Sequence, residues 1–473
     1  MKVKQILVYT RPWEDDFHIA LAKRLQEVYP DAPVRFISFF ISSVRKVKQA
    51  GFDALYFPDE LRKVSGDEIS AERFAEIDRN LYETGGANFN LMLHSERFLP
   101  ESAEAAELFG KKHLVVLDRL ITEGTLSTSS MYDHFVYWLA GGLANARQGW
   151  HFAFVGCGAP AGRSVALKTP WETWRRDGMT RTESSELLGS SRVALSIPVL
   201  ERNSYMKPQL RRNKHLRERY RLFLDIIYDK KAGSYFWDTF ISFDKWLLEK
   251  ILPASVFKKI YLYPEPTYSV KIDHDIVIIS NKYVYLPLHY EPEAVILMYS
   301  PWLRDQSEVV RLVSQALPVG WKILVKDHPN MVGLRNPKFY ANIKAIPHVQ
   351  LVATTVSSTV LMTHSEAVVV LAGTSAIEAR LMGKKAISLG SPPFNALLSE
   401  GRAGNDLSKI QRLFTTLAAE GQMDINEEQW KEWVSGTVAG TVVPVKEAID
   451  STYGNVCRFI EYINDIISQT RSL

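Results

Sequence analysis

The sequence predicts an α/β protein of two lobes, each built on a parallel sheet. Short apolar runs of strand length alternate with longer segments whose apolar residues recur every three to four positions. This alternation appears twice, before about residue 160 and again after about residue 280. The chain has 473 residues, whereas a single hydrophobic core stops growing at roughly 250 to 300. Two lobes with a cleft between them are therefore expected.

In order along the chain, Ile6 to Thr10 reads as a strand, and Phe17, Ala20, Leu21, Leu25 and Val28 mark one face of a helix. Val34 to Phe40 is a second strand. Leu91 to Leu93, His113 to Leu117 and Phe152 to Val155 are further strand candidates, with helices at Ala71 to Glu83 and Met131 to Ala146. From about Gly162 to Pro266 the rhythm gives way to Arg- and Trp-rich text, read as mostly helical decoration of the first lobe. The second alternation is clearer: strand Val284 to Pro287, helix Asp305 to Ala316, strands Lys322 to Lys326 and Val349 to Val352, and helix Ser357 to His364. It continues with strand Ala367 to Leu371, helix Ser375 to Met382 and strand Lys385 to Leu389. A last helix, Lys446 to Ser468, gathers Ala448, Ile449, Tyr453, Val456, Ile460, Tyr462, Ile463 and Ile466 near one broad face and is expected to tie the lobes together. The divisions expected are 1–275, with an insertion at about 162–266, then 276–445, then a crossing helix at 446–473.

Composition narrows the class. Hydrophobic residues make up 46%, and 57 Lys and Arg stand against 53 Asp and Glu, a net charge of +4. With near-average Pro and Gly and no fixed-period repeat, a disordered or solenoid protein is excluded. The two cysteines, Cys157 and Cys457, exclude a disulfide scaffold and have no metal-ligand spacing. Without a signal-peptide pattern, a reducing cytoplasmic setting is expected. No apolar run approaches the roughly 18 to 20 residues of a membrane-spanning helix.

Three segments carry polar groups where open parallel sheets bind ligands, beyond the carboxyl ends of their strands. Lys326-Asp327-His328-Pro329 ends one strand and places a Lys, a His and a turn-forming Pro where an anion would sit; a plain solvated junction reads the same way. Ala367 to Leu371 runs into Ala372-Gly373-Thr374-Ser375-Ala376-Ile377-Glu378-Ala379, where a tight turn and a new helix offer backbone N–H groups to a phosphate. The same residues also fit a simple helix start, with Ser375 and Glu378 forming a capping box. Pro287-Leu288-His289-Tyr290-Glu291-Pro292-Glu293 is a stiff extended loop that either presents hydroxyl-binding groups or is a polar connection.

PLHYEPE, the pair Asp305-Gln306, Ala316 to Pro318, VKDHP, GTSAIEA and GKKAISLG together resemble the capsular and surface-polysaccharide glycosyltransferases, especially the retaining β-Kdo transferases. The resemblance covers about Val284 to Gly390. It implies a GT-B-like fold, with two Rossmann-type domains facing a central cleft and a C-terminal helix packing across them. It further implies transfer of Kdo or a related acidic sugar from a CMP-activated donor in the second lobe, with retention and without metal or cofactor. The glycan acceptor of capsule or O-antigen assembly, free or lipid-linked, would face the first lobe. Carried over, His328 would contact the donor phosphate beside Pro329. Gly373, Thr374 and Ser375 would hold that phosphate, Glu378 the ribose hydroxyls and Lys326 the charge of the departing nucleotide. His289, Glu291 and Glu293 would bind the sugar. Two departures stand out: Glu291 replaces the expected Gln, and Lys385 the usual Pro after Gly383-Lys384.

The catalytic carboxylate is expected from the first lobe. Asp118, at the end of the expected strand His113 to Leu117, and Glu123, in Thr122-Glu123-Gly124, lead; Glu96, in His94-Ser95-Glu96-Arg97, is third. Among weaker signals, Gly156-Cys157-Gly158-Ala159-Pro160-Ala161-Gly162 reads as a turn rather than a dinucleotide loop. Asp273-His274-Asp275 is a linker rather than a metal site. The basic run Arg211 to Arg221 lacks the basic excess of a nucleic-acid binder. With Trp237, Phe240, Phe243, Trp246 and Leu247 it forms either ordinary helix packing or a contact to an anionic membrane surface. A CDP-glycerol-type phosphotransferase is the nearest rival reading, and a non-catalytic glycan-assembly subunit with a nucleotide-binding lobe is a third.

Overall fold

The computed structural model describes residues 2–12, 14–96, 99–100, 102–129, 134–157, 159–160, 162–196, 263, 265–271, 282–291, 295–398, 403–419, 425–440 and 449–472. The basic run 211–221, the aromatic residues 237–247, Asp273 to Asp275 and Glu293 lie outside them.

The first lobe carries β1 (Gln5–Tyr9), β2 (Val34–Ser38), β3 (Asp53–Tyr56), β4 (Thr125–Ser129), β5 (Trp150–Gly156), β6 (Arg163–Thr169) and β7 (Glu172–Thr173). The second carries β8 (Tyr283–Pro287), β9 (Lys322–Lys326), β10 (Val349–Val352), β11 (Ala367–Val370) and β12 (Lys385–Ser388). A last strand, β13 (Thr437–Ala439), returns to the first sheet. The first sheet runs β13-β6-β5-β4-β1-β2-β3, and the second β10-β9-β8-β11-β12. The five strands from β3 to β5 are parallel, as are all five of the second sheet. Each parallel set has the strand order of a Rossmann-like unit, so the two-lobed α/β class read from the sequence holds. Each set also has a switch point, between β1 and β4 and between β8 and β11, where chain direction across the sheet reverses and ligands bind.

In the second lobe the elements that were expected fall within a residue or so of their bounds, while helices Pro337–Lys344 and Leu407–Ala419 were not foreseen. The strands are short, mostly buried apolar runs, and several helices start at capping side chains such as Asp305, which accepts from Ser307 N–H at 2.8 Å.

The first lobe departs from expectation in four places. The segment from Gly162, expected to be mostly helical decoration, opens instead with β6 and β7 of the first sheet. Leu91 to Leu93 lies in a helix, Phe89–His94, started by Asn88, whose side chain accepts from Leu91 N–H at 3.0 Å. His113 to Leu117 lies inside an 18-residue helix, Ala103–Leu120, started by Ser102. That apolar run is buried on every side, so it lacks the helical period and imitates a strand. The strand beside β1 is instead β4, whose sequence TLSTS is polar yet wholly buried. Two of its serines are satisfied by one imidazole, Ser127 Oγ pairing with His151 Nδ1 at 2.7 Å and Ser129 Oγ with His151 Nε2 at 3.3 Å, while the Thr128 hydroxyl is buried without a hydrogen-bond partner. β5 pairs with the antiparallel β6 that follows it, which agrees with a turn between them and not a dinucleotide loop.

One hydrophobic cluster runs through both lobes, from Tyr9 and Trp138 to Tyr285, Met298 and Val370. Indole N–H groups add directional links: Trp171 donates to Met298 O at 2.8 Å, Trp430 to Ser184 O at 3.0 Å and Trp433 to Ala159 O at 2.8 Å. The chain returns to the first lobe with helix Glu427–Ser435, earlier than the residue 446 expected. Helix Ile449–Ser472 then packs on helix Asp15–Val28, and its Phe459 ring lies 5.3 Å from Phe17 and 4.4 Å from Phe154. Its buried side chains join first-lobe residues, so the link between lobes is the crossing chain and not a helix shared between two cores. Burying one such Phe contributes about 2–3 kcal/mol. No helix among the described residues is long and apolar enough to cross a membrane.

Candidate functional site

At the switch point of the second sheet, the loop after β8 meets the loop after β11. The buried His289 ring lies against Gly373: a Cβ there would stand 3.3 Å from Nε2, 3.4 Å from Nδ1 and closer still to Cε1. Glycine is required at 373 by this approach, which brings PLHYEPE and GTSAIEA into one place. His289 Nε2 is buried without a hydrogen-bond partner. Burial, with His328 and Arg335 nearby, lowers the His289 pKa to about 4, so its ring is neutral.

His289 is held through its backbone. Its N–H donates to Gln306 Oε1 at 2.7 Å, and its carbonyl accepts from Gln306 Nε2 at 3.1 Å and from Arg335 Nη2 at 2.6 Å. Arg335 also pairs with Glu291 at 3.0 Å and, through Nε, with both oxygens of Asp327 at 3.1 and 3.0 Å. Tyr340 OH donates to Asp327 at 2.6 Å, and His328 N–H donates to the same carboxylate at 2.7 Å. Gln306 further donates to Glu291. A buried guanidinium needs such fixed acceptors, and here they lock four separate segments around His328.

His328 is half-buried, and its ring lies 6.0 Å from that of Tyr290. Burial lowers its pKa, with Arg335 and Lys326 acting in the same sense and Asp327 opposing. Pro329 opens the short turn Pro329–Met331 that follows.

The helix Ser375–Leu381 begins one residue earlier than a Ser375 cap would allow: Thr374 is its N-cap and makes no side-chain cap bond. The expected Ser375–Glu378 capping box is therefore not formed. Thr374 is exposed and Ser375 half-buried. Burial raises the pKa of the Tyr285 phenol, and the charge of Glu378, one turn on, adds to the rise.

Lys326 is buried, and its ammonium donates to Val356 O at 2.5 Å and Ser358 Oγ at 2.9 Å, so it braces the 356–358 turn. A buried ammonium must find such acceptors.

Two first-lobe carboxylates are also displaced from the expected position. Asp118 is on helix Ala103–Leu120, whose carboxyl end adjoins the amino end of β4, and it is paired with Arg73 at 2.9 Å and with Arg147. Glu123 stands in the turn just before β4, exposed and paired with Lys4 at 2.8 Å; that bond lowers its pKa. Both lie at the edge opposite to the one where parallel sheets bind ligands. Glu96 lies at the carboxyl edge: its carboxylate is buried and accepts from Phe135 N–H at 3.0 Å, at the start of the helix that follows β4.

Sequence reasoning missed Arg335 and Tyr340, which sit in no pattern, and gave Gln306 no role although the Asp305-Gln306 pair was noted. Glu291 gains meaning from Arg335, a charge partner that a Gln would not need.

Residues 243–400 match the model of the family described as "Capsule polysaccharide biosynthesis protein". No curated protein matches. Among solved structures, KpsC, a beta Kdo 2,7 transferase from Thermosulfurimonas dismutans, is 11% identical, with 97% of this chain and 99% of that one covered and a TM-score of 0.34. A glycosyltransferase from Rickettsia africae is 11% identical over 99% of both chains, with a TM-score of 0.28. UDP-GlcNAc 2-epimerase from Neisseria meningitidis is 12% identical over 98% and 100%, with a TM-score of 0.23. The matched segment of about a third of the chain contains His289, Gln306, His328, Arg335 and Gly373, and through it the chain resembles the capsule polysaccharide biosynthesis proteins.

Proposed function

We propose that the chain is a glycosyltransferase of surface-polysaccharide assembly that transfers Kdo or a related acidic sugar from a CMP-activated donor, with retention, to a glycan acceptor. The observation that carries this reading is the convergence of His289, His328 and the Gly373–Ser375 turn at the switch point of the second sheet. Cleaving a nucleotide from a sugar places growing negative charge on phosphate oxygens, and preorganised donors there lower the barrier. His328, the hydroxyls of Thr374 and Ser375, and the first N–H groups of the helix are donors of that kind. Glu378 is assigned to the ribose and Glu291 to the sugar, the latter held in place by Arg335. Any contact with the membrane that carries a lipid-linked acceptor is assigned to residues 211–247.

Calorimetry with CMP, CDP, UDP and GDP, on the wild type and on His328→Ala and Ser375→Ala, tests the reading. Selective CMP binding that both substitutions weaken at least tenfold is expected. A preference for CDP would favour the phosphotransferase reading, and CMP binding without turnover of any CMP-sugar would favour a non-catalytic subunit. Equal binding of all four nucleotides would remove the CMP-sugar reading.

A further inference from the structure

The first sheet has a switch point of its own, between β1 and β4, and it carries a polar cluster that the donor site does not use. After β1 come Arg11 and Glu14, an ion pair of 3.1 Å with side chains only 8% and 1% exposed. After β4 come His134 and Tyr137. Tyr137 joins the two halves, its ring centre 6.0 Å from the Arg11 guanidinium carbon and 6.0 Å from the His134 ring. Tyr9, the last residue of β1, meets Tyr137 edge-on at 5.6 Å, and its hydroxyl is buried without a hydrogen-bond partner. An unpaired buried hydroxyl at a switch point marks a place where a ligand oxygen or a water belongs.

His134 Nδ1 lies 3.5 Å from Glu96 Oε1, while the other Glu96 oxygen is tied to Phe135 N–H at 3.0 Å. The Glu96 side chain is 1% exposed and that of His134 is 13% exposed. The carboxylate thus stands behind the imidazole. A carboxylate facing Nδ1 keeps the proton on that nitrogen and leaves Nε2 as the acceptor.

We propose that His134, oriented by Glu96, is the base that takes the proton of the attacking hydroxyl, in an acceptor-sugar subsite walled by Tyr9, Tyr137 and the Arg11–Glu14 pair. This rests on the glycosyltransferase reading above and adds its acceptor side. The hydroxyl oxygen forms the new bond to the anomeric carbon as its proton passes to Nε2 of His134. The electron pair of the bond that breaks at that carbon leaves on the nucleotide phosphate oxygen, and the hydroxyl enters on the face the phosphate leaves, as the proposed retention requires. Glu96 is a positioning residue in this scheme: it stabilises the imidazolium and does not itself attack the sugar.

The test follows release of CMP from CMP-Kdo by the full chain, with water alone and with soluble aryl glycosides as acceptors. His134→Ala should lower kcat at least 100-fold, with CMP affinity unchanged, and added imidazole should restore part of the loss. His134→Gln, which keeps the size of the side chain, should stay as slow and unfold at the wild-type temperature. Glu96→Gln should give a smaller loss and move the acid limb of the pH profile. A fully active His134→Ala, or a loss that imidazole does not relieve, would overturn the proposal alone. A wild type that releases no CMP from CMP-Kdo would remove the donor reading, and the proposal with it.

Discussion

Replacing Gly373 with Ala tests the contact on which the candidate site is built. The new methyl carbon would lie 3.3 and 3.4 Å from the two nitrogens of His289 and nearer still to Cε1, inside the distance real Cβ atoms keep. The ring has little room to retreat, because the His289 backbone is held by Gln306 at 2.7 and 3.1 Å and by Arg335 at 2.6 Å. Overpacking of this kind costs about 1–3 kcal/mol. Urea unfolding followed by tryptophan fluorescence should show that loss, and calorimetry should show CMP affinity reduced at least tenfold, about 1.4 kcal/mol. Removing the ring removes the clash, so in a His289→Ala background the same substitution should cost less than about 0.5 kcal/mol. Equal costs in the two backgrounds, or an unchanged unfolding midpoint for Gly373→Ala, would refute the packing argument.

Arg335→Met leaves the buried Asp327 carboxylate without its cation and should destabilise by about 3–5 kcal/mol, as broken buried pairs do; adding Asp327→Asn should recover part of the loss in the same urea series. Asp118→Asn should lower the unfolding temperature, because Arg73 and Arg147 lose their shared acceptor, while leaving CMP release unchanged; Glu123→Gln should change neither. Acid should destabilise the protein through its buried imidazoles. Burial lowers His18, His113 and His289 to about 4 and His151 to about 3. Their contribution is fully present above pH 6.5 and is lost as pH falls through these values, because the unfolded chain then binds protons the folded one refuses. Asp15, raised to about 6 by burial, acts in the opposite sense, its contribution being lost as pH rises from about 4 to 6. Four imidazoles against one carboxylate predict net uptake of about three protons on unfolding near pH 5. Stability that does not vary between pH 7 and pH 4.5 would contradict this.

Much of the second lobe was legible because its strands are short apolar runs and helices such as Gln306–Ala316 carry both a period and a cap, whereas helices Pro337–Lys344 and Leu407–Ala419 were not read. The first lobe was less so. β4 is built from hydroxyl residues whose suitability for a core depends on His151, 22 to 24 positions away. The helix holding Asp118 buries its run His113 to Leu117 on every side, so that the apolar text there loses its period. Both errors had the same consequence, since the false strand at His113 to Leu117 carried Asp118 to the wrong edge of the sheet. Lys326 shows the converse: its position beyond a strand was read correctly, but whether a buried ammonium turns to a ligand or to Val356 and Ser358 depends on where those acceptors lie in space.

What the sequence determined by itself was the pair of α/β lobes and the motifs at the carboxyl ends of the second sheet, because strand period, capping residues and glycine at a tight approach are local properties. The tertiary structure alone decided which charges pair and which carboxylate stands at the right edge. Arg335 meets Glu291 and Asp327 across 44 and 8 positions, and Glu96 meets His134 across 38. Such pairings arise from the energy of burying charge in a common space, to which sequence separation is no guide.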